Sequence, residues 1–219
     1  MSIAAEKAGR KPEDILLCAA CKTRTIQEVR FSAELNIDIF GENHAQELTE
    51  KYDAGAYLGK PSHFIGHLQT NKVKKVVGRS SLIQSVDSPR LLAAISSEAG
   101  KRGITQDILL EVNIGGEESK SGAASSELWS LADTAAGTAN VRIRGLMAIP
   151  PMSDSEAVMR GYFSDMRRLF EKLCSRYPEF SADTLSMGMS HDYPWAIAEG
   201  STMVRIGSAI YGPRVYKNT

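Results

Sequence analysis

The stretch ILLCAACKT, residues 15–23, decides the fold because it is an apolar strand pattern that ends close to a lysine. Seven further apolar runs follow, and each of the eight precedes a stretch of helical character. The eight runs occupy residues 15–21, 37–43, 63–68, 82–87, 108–113, 143–149, 184–189 and 203–207. Alternating strand and helix signals indicate a parallel sheet with crossover helices, and eight such units are what a closed barrel requires. We therefore predict an α/β fold, a single (β/α)8 TIM barrel.

Amphipathic helices are predicted before and between these runs. The pattern places them at residues 2–9, 25–35, 88–101, 127–136 and 156–176, the last with an apolar stripe of Met159, Phe163, Met166, Phe170 and Leu173. The alternative architecture is an open doubly wound sheet. Its dinucleotide fingerprint, G-x-G-x-x-G after the first strand, is absent, and CAACKTRT stands there instead. Eight units also suit closure better than an open sheet.

The composition is that of an ordinary soluble globular domain. The 219 residues are 42% hydrophobic and 24% charged, and the formal net charge is zero. A zero net charge gives no global field that would attract nucleic acid or an anionic membrane, and no apolar stretch approaches the span of a bilayer. The charged start MSIAAEKAGRKPED does not look like a secretory signal. We find no linker and no composition break, and we predict one domain over residues 1–219.

The cysteines bear on the cellular compartment. Three cysteines, an odd number in a chain of this size, favour a reducing compartment, and we expect a cytoplasmic protein. Cys18 and Cys21 form a C-x-x-C, but their odd spacing within a strand directs them to opposite faces, so core packing is predicted rather than a redox pair. The pattern contains no conspicuous surplus of apolar surface, and we expect a monomer.

Lys22 is the first candidate functional residue. It shares a strand face with Cys18 and Ala20, whose small side chains would leave space beside an amine. A lysine amine becomes nucleophilic at neutral pH when desolvation or a nearby cation lowers its pKa, and it can then form a Schiff base. The alternative for Lys22, taken alone, is a solvated side chain at a strand end.

The last two strands carry small and charged residues on the face that alternation turns inward. In the seventh strand, TLSMGMS, the residues predicted outward are Leu185, Met187 and Met189, and those predicted inward are Ser186, Gly188 and Ser190. In the eighth strand, Val204 and Ile206 are predicted outward, and Met203, Arg205 and Gly207 inward. An inward arginine is costly to bury without a partner, which could be an anionic ligand or a salt bridge to Glu111 or Glu42.

The loops after strands seven and eight of such barrels frequently bind phosphate. Here Gly207 and Ser208 follow the eighth strand, beside residues 186–190. A Schiff-base lysine after the first strand, a phosphate cup across the mouth and an inward arginine together suggest pyridoxal phosphate as the cofactor.

Polar residues at other strand ends are less informative. Asn43, His67, Gln69 and Asn71 could line the mouth of the pocket, and ordinary helix caps are equally plausible for Asn43 and Asn71. His63 and His67 have no Cys or carboxylate neighbours that complete a recognisable ligand set, so we expect no metal site. Of this group, Asn43 is included among the predicted cofactor-binding residues.

Several segments together resemble the pyridoxal-phosphate homeostasis protein family, over almost the whole chain. They are CKT at 21–23, FGENHAQE at 40–47, HFIGHLQTNK at 63–72, EVNIGGEESKSG at 111–122, GLMAIPP at 145–151 and LSMGMSHDYPWAIAEGSTMVRIGSAIYG at 185–212. The resemblance implies a barrel similar to the N-terminal domain of bacterial alanine racemase, with Lys22 as the Schiff-base residue. It also implies that Arg205 lies near the pyridine nitrogen and that Ser186, Gly207 and Ser208 contact the phosphate. The family's usual Val-Ser before the lysine is replaced here by Ala20-Cys21, and its usual Tyr in GENY by His44.

The favoured interpretation is a protein that binds pyridoxal phosphate for intracellular homeostasis and has no catalytic residues. Enzymes that need the cofactor as a strong electron sink usually place a carboxylate at the pyridine nitrogen, whereas the resemblance implies an arginine there. Racemases of similar fold carry a second domain with an opposing tyrosine, and this sequence ends soon after the eighth strand. The partners we expect are pyridoxal phosphate and the apo forms of enzymes that use it.

Two alternatives stay open at this point. One is an amino-acid racemase-like enzyme that depends on pyridoxal phosphate. The other is a lysine-dependent aldolase without a cofactor, because barrels also host those enzymes and a phosphate cup would fit a phosphorylated sugar.

Overall fold

The computed structural model describes residues 1–117 and 120–213. Parts of the predicted domain 1–219 and of the segment 111–122 therefore lie outside the described residues. The strands are Leu16–Ala20 (β1), Ile39–Glu42 (β2), Ser62–Phe64 (β3), Leu82–Val86 (β4), Gln106–Asn113 (β5), Ala123–Ala124 (β6), Val141–Met147 (β7), Thr184–Met189 (β8) and Met203–Ile206 (β9). Each of the eight predicted apolar runs contains or overlaps one of them, and the two-residue β6 was not predicted.

The helices lie between the strands. They are Ser2–Lys7 (α1), Ile26–Ala33 (α2), Ala45–Asp53 (α3), Val73–Val76 (α4), Pro89–Lys101 (α5), Leu128–Ala136 (α6), Glu156–Arg176 (α7), Tyr193–Ala198 (α8) and Ser208–Tyr211 (α9), with 3-10 turns at Pro12–Asp14, Thr70–Lys72 and Pro178–Phe180. All five predicted helices are confirmed. Among the described residues we find no helix whose length and apolar character would let it cross a bilayer.

The eight main strands close into a parallel barrel. The order around the ring is β1, β2, β3, β4, β5, β7, β8 and β9, and pairing of β9 with β1 and of β4 with β5 completes it. The short β6 pairs only with β5 and lies outside the ring. The predicted (β/α)8 barrel is therefore confirmed, and the open doubly wound alternative is wrong because every strand of the ring has two neighbours.

Local sequence signals explain where several helices begin. Thr25 and Glu28 form a reciprocal capping box at the start of α2, and Ser88 accepts the N–H of Leu91 before Pro89 opens α5. The apolar stripe of α7 is buried against the barrel as predicted. Burial of such a stripe, more than intrinsic helix propensity, holds the helix in place.

The inside of the barrel is layered. One buried apolar cluster fills it, formed by Cys18, Ile39, Ile65, Leu82, Leu109, Met147 and Met203. Because side chains alternate along a strand, the inward residues two positions later lie one layer closer to the carboxyl ends. That layer includes Gln84 after Leu82 and Arg205 after Met203. Gln84 and Arg205 thus lie on the mouth side of the apolar cluster, whereas His63 lies at the other end of the barrel, beside Leu82 and Met203.

A bulge in β8 changes which side chains face the mouth. The pairing of β8 with β9 shifts between Ser186 and Met189, and Gly188 has a φ of 92°. A Cβ at Gly188 would lie 2.5 Å from the Cβ of Ala196 in α8, so this position faces the outer layer. The prediction that Gly188 faces inward and Met189 outward is therefore wrong, because the bulge reverses the alternation. Met189 instead borders the cavity described below. Leu185, Met187, Val204 and Ile206 pack outside the ring as predicted.

Candidate functional site

The Lys22 cavity opens at the carboxyl ends of β1, β8 and β9. Its volume is about 350 Å³. It is lined by Ala20, Lys22, Arg24, Met152, Met189, Ser190, His191, Arg205, Gly207, Ser208, Tyr211 and Gly212. Four of the predicted cofactor-binding residues therefore border one cavity: Lys22, Arg205, Gly207 and Ser208. Catalytic and binding groups of such barrels lie at this end because the loops that follow the strands converge there.

Lys22 lies in a tight turn that ends β1. The N–H of Arg24 donates to the carbonyl oxygen of Cys21 at 3.1 Å, which makes residues 21–24 a four-residue turn. Thr23, the third residue of this turn, has a φ of 65°. A positive φ favours glycine, and it costs other residues about 1–2 kcal/mol. The chain is therefore strained immediately after the lysine.

Helix α3 holds the peptide groups on both sides of Lys22. The Oε2 atom of Glu47 accepts the N–H of Thr23 at 2.7 Å. The Nζ atom of Lys51 donates to the carbonyl oxygen of Cys21 at 2.8 Å, and it forms an ion pair with Glu47 at 3.2 Å. The turn is thus fixed to one helix by two side chains that also contact each other.

On the outer face of β1 and β2, four side chains form what we name the outer cluster: Cys21, Glu42, Lys51 and Tyr57. The Oε1 atom of Glu42 accepts the Cys21 thiol at 2.8 Å, the Lys51 ammonium at 2.8 Å and the Tyr57 hydroxyl at 3.2 Å. Burial lowers the pKa of Lys51, but Glu42 and its neighbours outweigh this effect and raise the pKa above its usual value. Lys51 is therefore held as a cation. Cys18 lies on the inner face, so the prediction of opposite faces for the two cysteines is confirmed.

Inside the barrel, a line of hydrogen bonds runs from Arg205 through Ser186 and Gln84 to His63. We name these four residues the inner chain. Arg205 Nη1 donates to Ser186 Oγ at 2.6 Å, and Ser186 Oγ donates to Gln84 Oε1 at 2.6 Å. Gln84 Nε2 lies 2.9 Å from His63 Nδ1. Burial lowers the pKa of His63 to about 3, so the ring is neutral and accepts this bond at Nδ1. Each bond of the inner chain is therefore donated in the direction from Arg205 towards His63.

The Arg205 guanidinium is buried without an ion pair among the described residues. Its second nitrogen, Nη2, donates to the carbonyl oxygen of Ala148 at 2.8 Å. Glu42 pairs with Lys51 instead, and Glu111 forms no ion pair with Arg205 in the described part of the chain. The explanation of Arg205 by a salt bridge to Glu111 or Glu42 is therefore wrong. Burial lowers the pKa of Arg205, and Cys18 and Glu111 oppose that shift.

Glu111 is a second buried group close to Arg205. It is 4% exposed, and its Oε2 atom has no hydrogen-bond partner among the described residues. Burial and the neighbouring Asp87 raise its pKa to about 7, although Arg205 acts in the opposite direction. Glu111 is therefore partly protonated at neutral pH.

Backbone donors meet at the wall of the cavity formed by β9 and α9. Ser190 Oγ accepts the N–H of Gly207 at 3.1 Å and the N–H of Ala209 at 3.3 Å. A Cβ at Gly207 would lie 3.3 Å from the carbonyl oxygen of Ala20, so glycine allows the two strands to approach closely. The Ser190 hydroxyl oxygen thus occupies a position where two N–H groups converge, and such positions suit the oxygen atom of an anion.

A neighbouring cavity lies at the ends of β2 and β3. Its volume is about 330 Å³, and it is lined by Asn43, His44, Ala45, Gln46, Phe64, His67, Leu68, Gln69, Lys72 and Lys75. Of the four residues predicted to line the mouth of the cofactor pocket, Asn43, His67 and Gln69 border this neighbouring cavity instead, and Asn71 borders neither cavity. The residue before α3 is His44, so Asn43 is not its N-cap.

Two predicted cofactor-binding residues, Asn43 and Ser186, do not line the Lys22 cavity, and their contact with a cofactor stays a prediction. Asn43 borders the neighbouring cavity, because β2 ends at Glu42 and directs it towards β3. Ser186 is fully buried, and its hydroxyl is bonded to Arg205 and Gln84, so it lies behind the guanidinium instead of on the wall of the cavity. Its role in this structure is to hold Arg205.

The sequence prediction missed several residues that line the Lys22 cavity. Arg24, which follows the lysine by two positions, and Tyr211 could have been found from their nearness to predicted site residues. Met152 and His191 stand in loops without a periodic pattern, and nothing local marks them. No group of three or more His, Cys, Asp or Glu side chains in the described chain is placed to hold a metal ion.

Comparisons with known proteins agree on one family. The sequence profile described as "Alanine racemase, N-terminal domain" matches residues 17–215. The chain is 42% identical to a pyridoxal phosphate homeostasis protein of Aquifex aeolicus, over 97% of this chain and 93% of that protein. It is 38% identical to the protein of the same name from Escherichia coli K12, over 99% of this chain and 93% of the relative.

A solved structure extends the likeness to three dimensions. PipY of Synechococcus elongatus PCC7942, in the structure with PLP bound, matches with a TM-score of 0.81 and 30% identity, over 95% of this chain and 97% of that one. Relatives of this similarity over nearly their whole length establish the family. The chain belongs to the pyridoxal phosphate homeostasis proteins, a family built on the N-terminal domain of alanine racemase.

Proposed function

We propose that this protein binds pyridoxal phosphate in the Lys22 cavity, with Lys22 holding it as a Schiff base. In this proposal it serves intracellular homeostasis of the cofactor and turns over no substrate. The observation that carries the proposal is that Lys22, Arg205, Gly207 and Ser208 border one cavity at the barrel mouth. The names of the relatives and the PLP in the PipY structure support the identity of the ligand.

The residues of the cavity fit such a ligand. The volume of about 350 Å³ falls within the usual range of small-molecule sites, about 300–1,000 Å³. The N–H groups of Gly207 and Ala209, with the hydroxyls of Ser190 and Ser208, are donors suited to a phosphate. The Arg205 guanidinium, which in the described part of the chain is held only by uncharged acceptors, is a buried cation that an anionic ligand would compensate.

Pyridoxal phosphate, when bound, supplies an aldehyde with which amines condense. The Lys22 amine would condense with that aldehyde, its two hydrogens would leave with the aldehyde oxygen as water, and no oxidant or reductant would be needed. Gly207 and Ser208 would hold the phosphate across the mouth, and Arg205 would face the pyridine ring. The inner chain would fix the guanidinium in that position.

The binding role is favoured over racemase-like catalysis by the charge of Arg205. A permanently charged guanidinium disfavours protonation of a nearby pyridine nitrogen, and an unprotonated ring stabilises a carbanion less well. The fold shared with alanine racemase does not by itself carry the activity. We also propose that the chain is a single-domain monomer over residues 1–219, that it acts in the cytoplasm, and that apo enzymes receive the cofactor from it.

The test is a visible spectrum of the protein with pyridoxal phosphate, followed by borohydride reduction and peptide mass spectrometry. We expect a visible band that borohydride abolishes and a reduced adduct on Lys22. The Lys22→Ala variant should lose both, whereas Lys72→Ala, which removes a lysine at the neighbouring cavity, should keep them. A Lys22→Ala protein that keeps the band would disprove the Schiff-base assignment.

The absence of turnover is tested separately. The loaded protein is incubated with a panel of L-amino acids in D2O, and α-proton exchange and D-isomer formation are followed. We expect no exchange above that of free pyridoxal phosphate. Exchange at enzyme-like rates that depends on Lys22 would support the racemase-like alternative, and a colourless protein that cleaves a phosphorylated sugar would support the aldolase.

A further inference from the structure

We infer that Glu47 is a positioning residue for Lys22: it holds the strained turn that aims the amine into the cavity. The inference rests on the proposed function in that it explains how Lys22 is presented to an aldehyde. Glu47 does not line the Lys22 cavity. It acts from the outside of the barrel, through the backbone of the residue that follows the lysine.

The contacts of Glu47 define this role. Its Oε2 atom accepts the N–H of Thr23 at 2.7 Å, a charge-assisted hydrogen bond of good length. The same oxygen pairs with Lys51 at 3.2 Å, and Lys51 donates to the carbonyl oxygen of Cys21 at 2.8 Å. The two peptide groups that flank Lys22 are therefore held by neighbouring side chains on one face of α3.

The conformation of Thr23 explains why such a contact is needed. The turn at residues 21–24 requires a positive φ at its third position, and glycine normally meets that requirement. Thr23 is β-branched and adopts a φ of 65° against its own preference. Strained backbone of this kind persists only where surrounding contacts over-determine it. The hydrogen bond from the Thr23 N–H to Glu47 is such a contact, because it is formed while Thr23 has a positive φ.

Loss of the Glu47 carboxylate should let the turn relax. Thr23 would then move towards a negative φ, and the direction of the Lys22 side chain, which leaves the chain one residue earlier, would change with it. The amine would spend less time at the position from which it can reach an aldehyde in the cavity. The expected effect is slower and weaker adduct formation, because positioning of reacting groups is lost.

The test asks whether Glu47 is still needed when glycine at position 23 removes the strain of the positive φ. In Glu47→Ala the hydrogen bond is absent, so nothing from Glu47 offsets the cost of a positive φ at Thr23, and the turn relaxes. In Thr23→Gly/Glu47→Ala the bond is also absent, but glycine adopts the positive φ without cost, so the turn no longer needs the carboxylate. The matched control is Glu50→Ala, which removes an exposed carboxylate from the same helix. Among the described residues, this carboxylate bonds to Gln46 alone.

Two readouts are measured for each variant beside the melting temperature. The first is the rate and affinity of pyridoxal phosphate condensation, from the visible band and the borohydride-reduced Lys22 peptide. The second uses the apo protein: trace acetylation with acetic anhydride, quantified by mass spectrometry as the reactivity of Lys22 relative to the exposed Lys72. The second readout does not depend on the cofactor.

We expect Glu47→Ala to weaken condensation about tenfold, which corresponds to about 1.4 kcal/mol. Thr23→Gly/Glu47→Ala should recover at least half of that loss on a logarithmic scale, and Glu50→Ala should match the wild type. In the apo protein, the ratio of Lys22 acetylation to Lys72 acetylation should move closer to one in Glu47→Ala. In the double variant it should return towards the wild-type ratio.

Two results would overturn the inference: wild-type behaviour of Glu47→Ala in both readouts, or a loss that glycine at position 23 does not recover. The proposed function can fail independently. If the wild-type protein forms no adduct on Lys22, that proposal is wrong, and the acetylation of the apo proteins still decides whether Glu47 positions the lysine.

Discussion

The outer cluster and the inner chain are both buried polar groups beside β1, but they balance charge differently. In the outer cluster, Glu42 and Lys51 form an ion pair at 2.8 Å, and Cys21 and Tyr57 also donate to Oε1 of the carboxylate, whereas its Oε2 atom has no hydrogen-bond partner among the described residues. In the inner chain, the charge of Arg205 meets only uncharged acceptors in the described structure.

The difference indicates what each region is for. Removing charges from water is costly, and an ion pair with satisfied hydrogen bonds recovers most of that cost within the protein. The outer cluster is thus balanced in charge without a ligand, and it joins α3 to the end of β1. The region around Arg205 and Glu111 is not balanced internally. It can therefore respond electrostatically to what enters the cavity.

The largest effect is expected from breaking the outer cluster. Lys51→Met leaves the Glu42 carboxylate buried without its cation, and loss of one partner of a buried pair costs about 3–5 kcal/mol. The free energy of unfolding from urea titration measures this. Adding Glu42→Gln should recover much of the loss, and Lys72→Met, at an exposed lysine, should cost little. If Lys51→Met costs no more than the Lys72 control, the outer cluster is not the balanced structural unit described here.

The next largest effect concerns Glu111 and depends on pH. Its pKa is raised from 4.5 to about 7 in the folded protein, so the unfolded chain loses this proton at lower pH than the folded one. The stability that the neutral form provides is complete below pH 4.5 and is lost as pH rises to about 7. The loss amounts to about 3 kcal/mol, since each pKa unit is worth about 1.4 kcal/mol.

Glu111→Gln removes this titration. Its free energy of unfolding relative to the wild type should therefore rise between pH 4.5 and 7 and remain constant above that range. Urea titrations at several pH values, with the exposed Glu50→Gln as control, measure the difference. A difference that does not vary with pH would mean that Glu111 titrates normally in the folded protein.

The smallest effect compares the two buried cysteines. Cys21→Ser should cost about 1 kcal/mol or less, because the hydroxyl can still donate to Glu42. Cys18 lies in the inner apolar cluster, and no hydrogen bond of its thiol is described, so Cys18→Ser buries a hydroxyl without a partner at a cost of about 1–3 kcal/mol. Thermal and urea unfolding of both variants test the order. Equal costs would show that the two faces of β1 do not differ in polarity as proposed.

The barrel could be predicted from the sequence because its signals are local and repeated. Each strand is a short apolar run, and helix starts such as Ser88-Pro89 carry their own caps. The inward direction of Arg205 and Gly207 followed from alternation within a regular strand. The same rule failed at Gly188 and Met189, because a bulge inserts a residue and reverses the alternation, and a glycine alone does not announce it.

The partners inside the site could not be predicted for a different reason. The bonds of Arg205 to Ser186 and Ala148 join residues that are 19 and 57 positions apart in sequence. Such contacts depend on the exact stagger of neighbouring strands, which no local pattern specifies. The position of Asn43 at the neighbouring cavity could not be predicted for the same reason: a strand end indicates the mouth of the barrel but not which side of it.

The Ser190 hydroxyl, which accepts the N–H groups of Gly207 and Ala209, has a consequence for selectivity. An incoming oxyanion would replace Ser190 Oγ as the acceptor of these two N–H groups. The net gain in free energy is therefore the difference between the bonds to the oxyanion and the bonds to the hydroxyl. Neutral or weakly accepting solutes gain almost nothing from such a substitution, since a hydroxyl oxygen serves the donors as well as they do. Only a group with concentrated negative charge makes bonds appreciably stronger than those it replaces. Because Ser190 already accepts from both donors, this position selects anions over neutral solutes.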